Sequence, residues 1–221
     1  FHAEGPSFFL NLLPGKKRRP GTKVVVTIHG LDWQRGKWGG LATRILRAGE
    51  RRAVKYADEI IVLSRNNKTY FREMYHRTTK YIPNGIQPPE LRPAEIIKEK
   101  YGLGMNDYIL FLARIVPEKG LHYLIPAWKK VVEQTGTGKK LVIAGGSSHS
   151  DEYYTQICEM AKGDESIIMT GFVQGQELQE LYSNAYLYVL PSDIEGMPMS
   201  LLEALSYGNV CLVSDIPENT E

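Results

Sequence analysis

A chain of 221 residues with 43% hydrophobic content is long enough for two compact domains of roughly 100 residues each. No stretch approaches the ~18–20 apolar residues that a membrane span needs, and the first thirteen residues carry neither a basic leader nor a cleavage site, so no signal peptide is read there. The formal net charge of +2 hides an asymmetry: residues 1–88 hold 17 Lys and Arg against 6 Asp and Glu, a balance of +11, and residues 89–221 hold 10 against 19, a balance of −9. A split of that size predicts two domains with different partners.

In chain order, Phe-His-Ala-Glu-Gly at 1–5 reads as the exit of a strand. The basic run KKRR at 16–19 lies between Pro14-Gly15 and Pro20-Gly21 and is a loop. It is either a solvated loop or a contact for an anionic membrane surface, where each basic residue contributes roughly 1 kcal/mol. Nucleic acid is not expected, because no aromatic residues interleave with it. Strands are predicted at 23–29, 59–64 and, more weakly, 79–85, with helices near 39–56 and 66–75. The later part predicts strands at 108–115, 140–146, 166–173, 185–192 and 209–215. Helices fall between them near 119–135, 151–162, 176–183 and 199–207. Continuous apolar strands alternating with helices mean α/β architecture, with parallel sheets covered on both faces. Pro83-Asn84-Gly85-Ile86-Gln87-Pro88-Pro89 is rich in turn formers and lies where the charge balance flips, so it is read as the hinge between domains 1–87 and 88–221. Cys158 and Cys211 fall in apolar-periodic segments, which suits reduced core residues and a cytoplasmic location.

In open parallel sheets, ligands bind beyond the carboxyl ends of the strands. After the strand at 108 come Arg114 and Lys119, two cations with Pro117 and Gly120 around them, suited to a diphosphate. After the strand at 140, Gly145-Gly146-Ser147-Ser148 offers backbone N–H groups to a ligand or simply turns the chain. After the strand at 185 comes PSDIEGMPMSLLEALSYG. Ser200-Leu201-Leu202-Glu203 reads there as a capping box, with Ser200 on the helix start and Glu203 reaching back. That leaves Glu195 and Gly196 unexplained in a loop at a strand exit, where a glycine lets backbone approach a ligand closely and the helix start favours an anion. His29, in TIHGLDW, enters a Gly-containing loop and is as readily structural as functional. His76, His122 and His149 show no metal-ligand spacing, and no Asp-x-Asp pair occurs to hold a metal.

Together these motifs resemble the retaining glycosyltransferases of family 4, which have the GT-B architecture of two facing Rossmann-like domains. The residues that carry the resemblance are Glu195 and Glu203 with Gly196, Arg114 and Lys119-Gly120 in ARIVPEKG, IPNGI at 82–86, and His29. HAEGP at 2–6 is similar to a bacterial subset that assembles polysaccharides or lipid-linked glycans. Measured against that family, the chain looks truncated at both ends.

The resemblance implies a nucleotide diphosphate sugar as donor and a glycan or lipid-linked acceptor, with no metal or other cofactor. It implies that Arg114 and Lys119 neutralise the departing diphosphate and that Glu203 bonds the ribose. Glu195 would contact sugar hydroxyls, and the amides after Gly196, along Met197, Pro198, Met199 and Ser200, would approach sugar and phosphate. The backbone near Val173 would meet the base, Gly145 would lie in the donor site, and His29 would stand near the reacting centre. A cytoplasmic enzyme, peripheral on the inner face of the membrane, is expected. The alternatives are a binding module without turnover and an epimerase of the same architecture.

Overall fold

The computed structural model describes residues 1–10, 21–34, 39–147 and 151–220. The KKRR run, Ser148 and His149 lie outside the described residues. The chain forms two compact units. The first comprises Phe1–Gly85, Ile194–Pro198 and Ile216–Glu221; the second comprises Ile86–Asp193 and Met199–Asp215. The division therefore includes a break between Gly85 and Ile86, and two later segments cluster with the first unit.

The first unit is built on a parallel sheet in the order β1 (Val25–Ile28), β2 (Glu59–Val62), β3 (Lys80–Tyr81). Residues 1–3 run alongside β1: Thr27 N donates to Phe1 O at 2.9 Å and Ala3 N donates to Thr27 O at 2.8 Å. HAEGP then enters the short helix α1 (Glu4–Ser7), an element that the sequence pattern did not announce. Helix α2 (Gly40–Tyr56) buries Leu46, Gly49, Glu50 and Ala53, a stripe at i, i+3, i+4, i+7, and the helix packs mainly against α1 and the Asp32–Gln34 turn. Gly49 has no alternative there, since a Cβ would overlap the Glu4 carbonyl. Helix α3 (Arg65–Tyr75) starts at Ser64, whose hydroxyl accepts from Asn67 N at 3.1 Å, an ordinary N-cap. The core is Val26, Ile28, Ile60, Val62 and Phe71 with their neighbours.

The second unit is a five-stranded parallel sheet covered by helices. Its strands are β4 (Tyr108–Leu112), β5 (Lys140–Ala144), β6 (Ile167–Gly171), β7 (Leu187–Leu190) and β8 (Cys211–Val213), in the order β6-β5-β4-β7-β8. The intervening helices are α4 (Ile96–Tyr101), α5 (Leu121–Thr135), α6 (Asp151–Ala161), α7 (Gly175–Asn184) and α8 (Met199–Ser206), and α9 (Pro217–Thr220) follows in the first unit's last segment. Tyr108, Leu110, Phe111, Leu141, Val142 and Ile143 are fully buried, as central parallel strands require. The predicted strands and long helices are present. Helix α4 is the unannounced element here. Its six residues have no local side-chain cap; Glu180 on α7 supplies one, its Oε2 accepting from Glu95 N at 3.0 Å and Ile97 N at 3.1 Å.

Both units are Rossmann-like halves of an α/β fold, and the second carries most of the polar residues singled out above.

Candidate functional site

The strand order decides where a ligand can enter. From β4 the chain steps outward through β5 to β6, then returns to lay β7 and β8 on the other side of β4. The strand order reverses between β4 and β7, which is where open α/β sheets form a crevice at their carboxyl ends. Arg114 and Lys119 follow β4; the segment from Pro191 to Glu203 follows β7.

These two exits are fastened to each other. Pro117–Lys119 form a single 3₁₀ turn that ends at Gly120, with φ of 73°. A Cβ at position 120 would overlap the Pro191 carbonyl oxygen, so only glycine allows the turn to lie against the β7 exit. Asp193 N donates to Glu118 O at 2.9 Å, closing the contact from the other side. Arg114 is exposed and Lys119 half-buried, so two cations stand on this braced turn.

Beside the β4 exit is a cavity of about 330 Å³ lined by Leu112, Arg114, Gly145, Gly146, Phe172, Val173 and residues near them. Gly145 shapes it with its bare backbone. Its φ is 150° and a Cβ would overlap the Ala113 carbonyl, while its amide donates to Gly171 O at 2.8 Å. The amide expected to serve a ligand at that position is therefore taken by the fold. Val173 is buried, whereas Phe172 is 76% exposed and lines the cavity. Phe172 is the ring sequence reasoning passed over; an aromatic directly after a strand-ending glycine was the available signal.

The capping box expected at Ser200 does not form as read. Helix α8 begins at Met199, so Ser200 lies inside its first turn. Its hydroxyl lies 2.8 Å from the Tyr188 hydroxyl, which donates and also lies 3.3 Å from Leu112 O. Glu203 does not reach back to a cap amide: its Oε2 accepts from the Tyr182 hydroxyl at 2.9 Å. Tertiary tyrosines have taken both residues that the local pattern assigned to each other. Burial first, then neighbouring Tyr188 and Glu203, pushes the Tyr182 hydroxyl well above the usual tyrosine range, so it remains an O–H donor.

Apart from Met199, which opens α8 in the second unit, the remaining predicted residues belong to the first unit. His29 directly follows β1, and its Nε2 lies 3.2 Å from His2 Nδ1, which brings HAEGP and TIHGLDW together. Glu195 is 9% exposed. A Cβ on Gly196 would overlap the His29 carbonyl oxygen. The side-chain space at Gly196 is therefore filled by the His29 backbone. Met197 Sδ accepts from Asn84 N at 3.1 Å, Pro198 is buried, and Met199 is exposed at the start of α8. Two buried carboxylates not anticipated from sequence hold the loop after His29. Glu4 Oε2 accepts from Asp32 N at 3.0 Å, and Glu50 Oε2 accepts from Trp33 Nε1 at 2.8 Å. Among the described residues, no group of three His, Cys, Asp or Glu could hold a metal ion, and no helix is long and apolar enough to cross a membrane.

Comparison with known families and structures matches both parts of the chain. Residues 93–221 match the family described as glycosyl transferases group 1, and residues 1–89 match glycosyltransferase family 4. An uncharacterized glycosyltransferase of Methanocaldococcus jannaschii is 31% identical over 205 residues, covering 87% of this chain and 51% of that protein. The Escherichia coli UDP-Gal:alpha-D-GlcNAc-diphosphoundecaprenol alpha-1,3-galactosyltransferase is 28% identical over 206 residues, covering 89% and 52%. Among solved structures, Anabaena HepE in complex with UDP-glucose superposes with a TM-score of 0.74 at 19% identity, covering 89% of this chain and 54% of that one. The sucrose-phosphate synthase of Thermosynechococcus elongatus gives 0.80 at 20% identity, covering 99% and 56%. The chain spans about half the length of these relatives.

Proposed function

The chain belongs to the group 1 glycosyl transferases, and on that premise we propose that it is the greater part of a sugar-transfer site. The site moves a sugar from a nucleotide diphosphate sugar to a glycan or lipid-linked acceptor, with retention at the anomeric carbon. The observation that carries this reading is the braced turn with Arg114 and Lys119 at the point where the strand order reverses, beside the cavity lined by Phe172 and Val173. The cavity suits a flat base, the two cations suit the diphosphate, and the half-buried Glu203 suits the hydroxyls of a ribose. HepE, of like fold, is known in complex with UDP-glucose. The acceptor class is proposed from the diphosphoundecaprenol named for the Escherichia coli relative.

In the step proposed, the bond between C1 and the phosphate oxygen breaks and its electron pair leaves on the diphosphate. Arg114, Lys119 and the N–H groups opening α8 offset that charge as it grows, from positions fixed beforehand. The acceptor oxygen bonds to C1 on the face the phosphate leaves, and its proton passes to the departing phosphate oxygen. Neither Glu195 nor His29 is a covalent nucleophile in this reading, and no metal takes part. Isothermal titration with UDP and GDP tests the reading. Lys119→Ala should weaken the diphosphate that binds by at least about tenfold, the scale of one charge-assisted bond. Unchanged affinity removes Lys119 from the diphosphate site.

The same proposal places the enzyme in the cytoplasm, against the inner face of the membrane. The outward side of α2 carries Leu41, 74% exposed, and Ile45 beside Arg44, Arg51 and Lys55, all exposed. Basic residues near an anionic lipid surface contribute about 1 kcal/mol each. Changing Arg44, Arg51 and Lys55 together to Glu should abolish flotation with phosphatidylglycerol vesicles. Flotation that persists in that variant would remove α2 from the contact.

A further inference from the structure

We propose that Tyr182 is a positioning residue that fixes which oxygen of Glu203 is offered to the donor ribose, and so sets how strongly the site discriminates ribose from deoxyribose. This rests on the reading of Glu203 as the ribose-binding carboxylate. Glu203 is half-buried in α8, and a glutamate loses appreciable rotamer freedom when it is held. Its Oε2 accepts from the Tyr182 hydroxyl at 2.9 Å; the same hydroxyl lies 3.1 Å from Ser200 O. Among the described residues Oε1 has no hydrogen-bond partner. One oxygen therefore belongs to the fold and the other is presented.

Tyr182 is built to be immobile. It is 1% exposed, and its ring stacks on Tyr207 with centroids 5.2 Å apart and planes inclined by 20°. Tyr188 lies on another side at 6.3 Å, and Asn209 Nδ2 donates to the Tyr182 carbonyl at 2.9 Å. A tyrosine has two side-chain torsions, and both are fixed by this packing. Tyr188 fixes the other polar group of the same helical turn, with its hydroxyl on Ser200 Oγ. The start of α8 is thus oriented by two tyrosines standing behind it. A carboxylate presented by one oxygen from a fixed direction binds a diol better than one that must be ordered at the moment of binding.

The test compares UDP and GDP with their 2′- and 3′-deoxy forms on the whole chain. For wild type, the diphosphate that binds should lose affinity when the ribose hydroxyl facing Glu203 is removed. Tyr182→Phe keeps the ring and deletes only the hydroxyl. It should weaken the ribonucleotide about five- to tenfold and leave the deoxy form unchanged, so that discrimination collapses. Tyr188→Phe, which leaves the Glu203 bond intact, should preserve the ratio, and on a Glu203→Gln background Tyr182→Phe should have no further effect on it. An equal loss for both nucleotides, or no loss, overturns the role of Tyr182 while the donor reading stands. Failure of wild type to bind either diphosphate overturns the donor reading and this proposal with it. The same expectation is read without substitution in the wild type by NMR, as a Tyr hydroxyl proton with an Overhauser effect to the Glu203 γ-methylene. Its absence counts against the proposal.

Discussion

Glu50 in the first unit and Glu203 in the second both sit on helices facing tyrosines, yet the fold uses them differently. Glu50 is 1% exposed and both its oxygens are engaged: Oε2 by Trp33, Oε1 by the hydroxyls of Tyr70, at 2.9 Å, and Tyr75. Burial and then the Glu50 carboxylate push the Tyr70 and Tyr75 hydroxyls up, so both stay donors. Glu203 has one tyrosine and keeps an oxygen in hand. A carboxylate whose acceptors are all filled from inside is a structural part, whereas one filled by half, as proposed for Glu203, is left with an oxygen for a ligand. Glu180, fully buried with Gln176 on one oxygen and two α4 amides on the other, belongs with Glu50.

Removing these groups puts that contrast to the test. The largest effect is expected from Glu50→Ala, which strips the partner from an indole N–H and two hydroxyls. Urea denaturation should show the first unit destabilised by about 3–5 kcal/mol. A loss below about 1 kcal/mol would mean that the cluster is not what holds α2 to α3. Glu180→Ala should cost the second unit less, about 2–3 kcal/mol, since it leaves two amides of α4 uncovered. The smallest effect is its pH dependence. Burial alone would raise the Glu180 carboxyl, but bonds from Ile97 N, the Gln176 amide and Glu95 N outweigh it, and the group lies below its ordinary value. A depressed carboxyl contributes stability that is full above its unfolded value of about 4.3 and is lost as pH falls through the folded value. The gap between wild type and Glu180→Ala should therefore be constant above about pH 5 and narrow below it. A gap that widens on acidification would reverse the assignment.

The contrast also separates what the sequence could announce from what it could not. The strands were legible because buried parallel strands are apolar end to end, as in YILFL at 108–112. The placement of Arg114 and Lys119 beyond a strand exit was legible because they follow such a run. The pairing of Ser200 with Glu203 was misread because a capping box is a local pattern, and the partners that claim those side chains sit 12 and 21 residues away. Helix α4 was missed for the same reason, since its cap comes from 83 to 85 residues downstream. Gly196 shows a third limit: a glycine announces that space is needed, not whether backbone or ligand fills it. Here the His29 carbonyl does.

The contact between Gly120 and the Pro191 carbonyl bears on how such a site can be re-engineered. Two loops that touch through bare backbone have no side chain between them to absorb a change in length. On the proposed function, exchanging the β7–α8 connection for one from a relative, to alter the sugar taken, would succeed only if residues 117–120 travelled with 191–193 as one cassette. A transplant of either loop alone would put a backbone carbonyl where the other chain already runs.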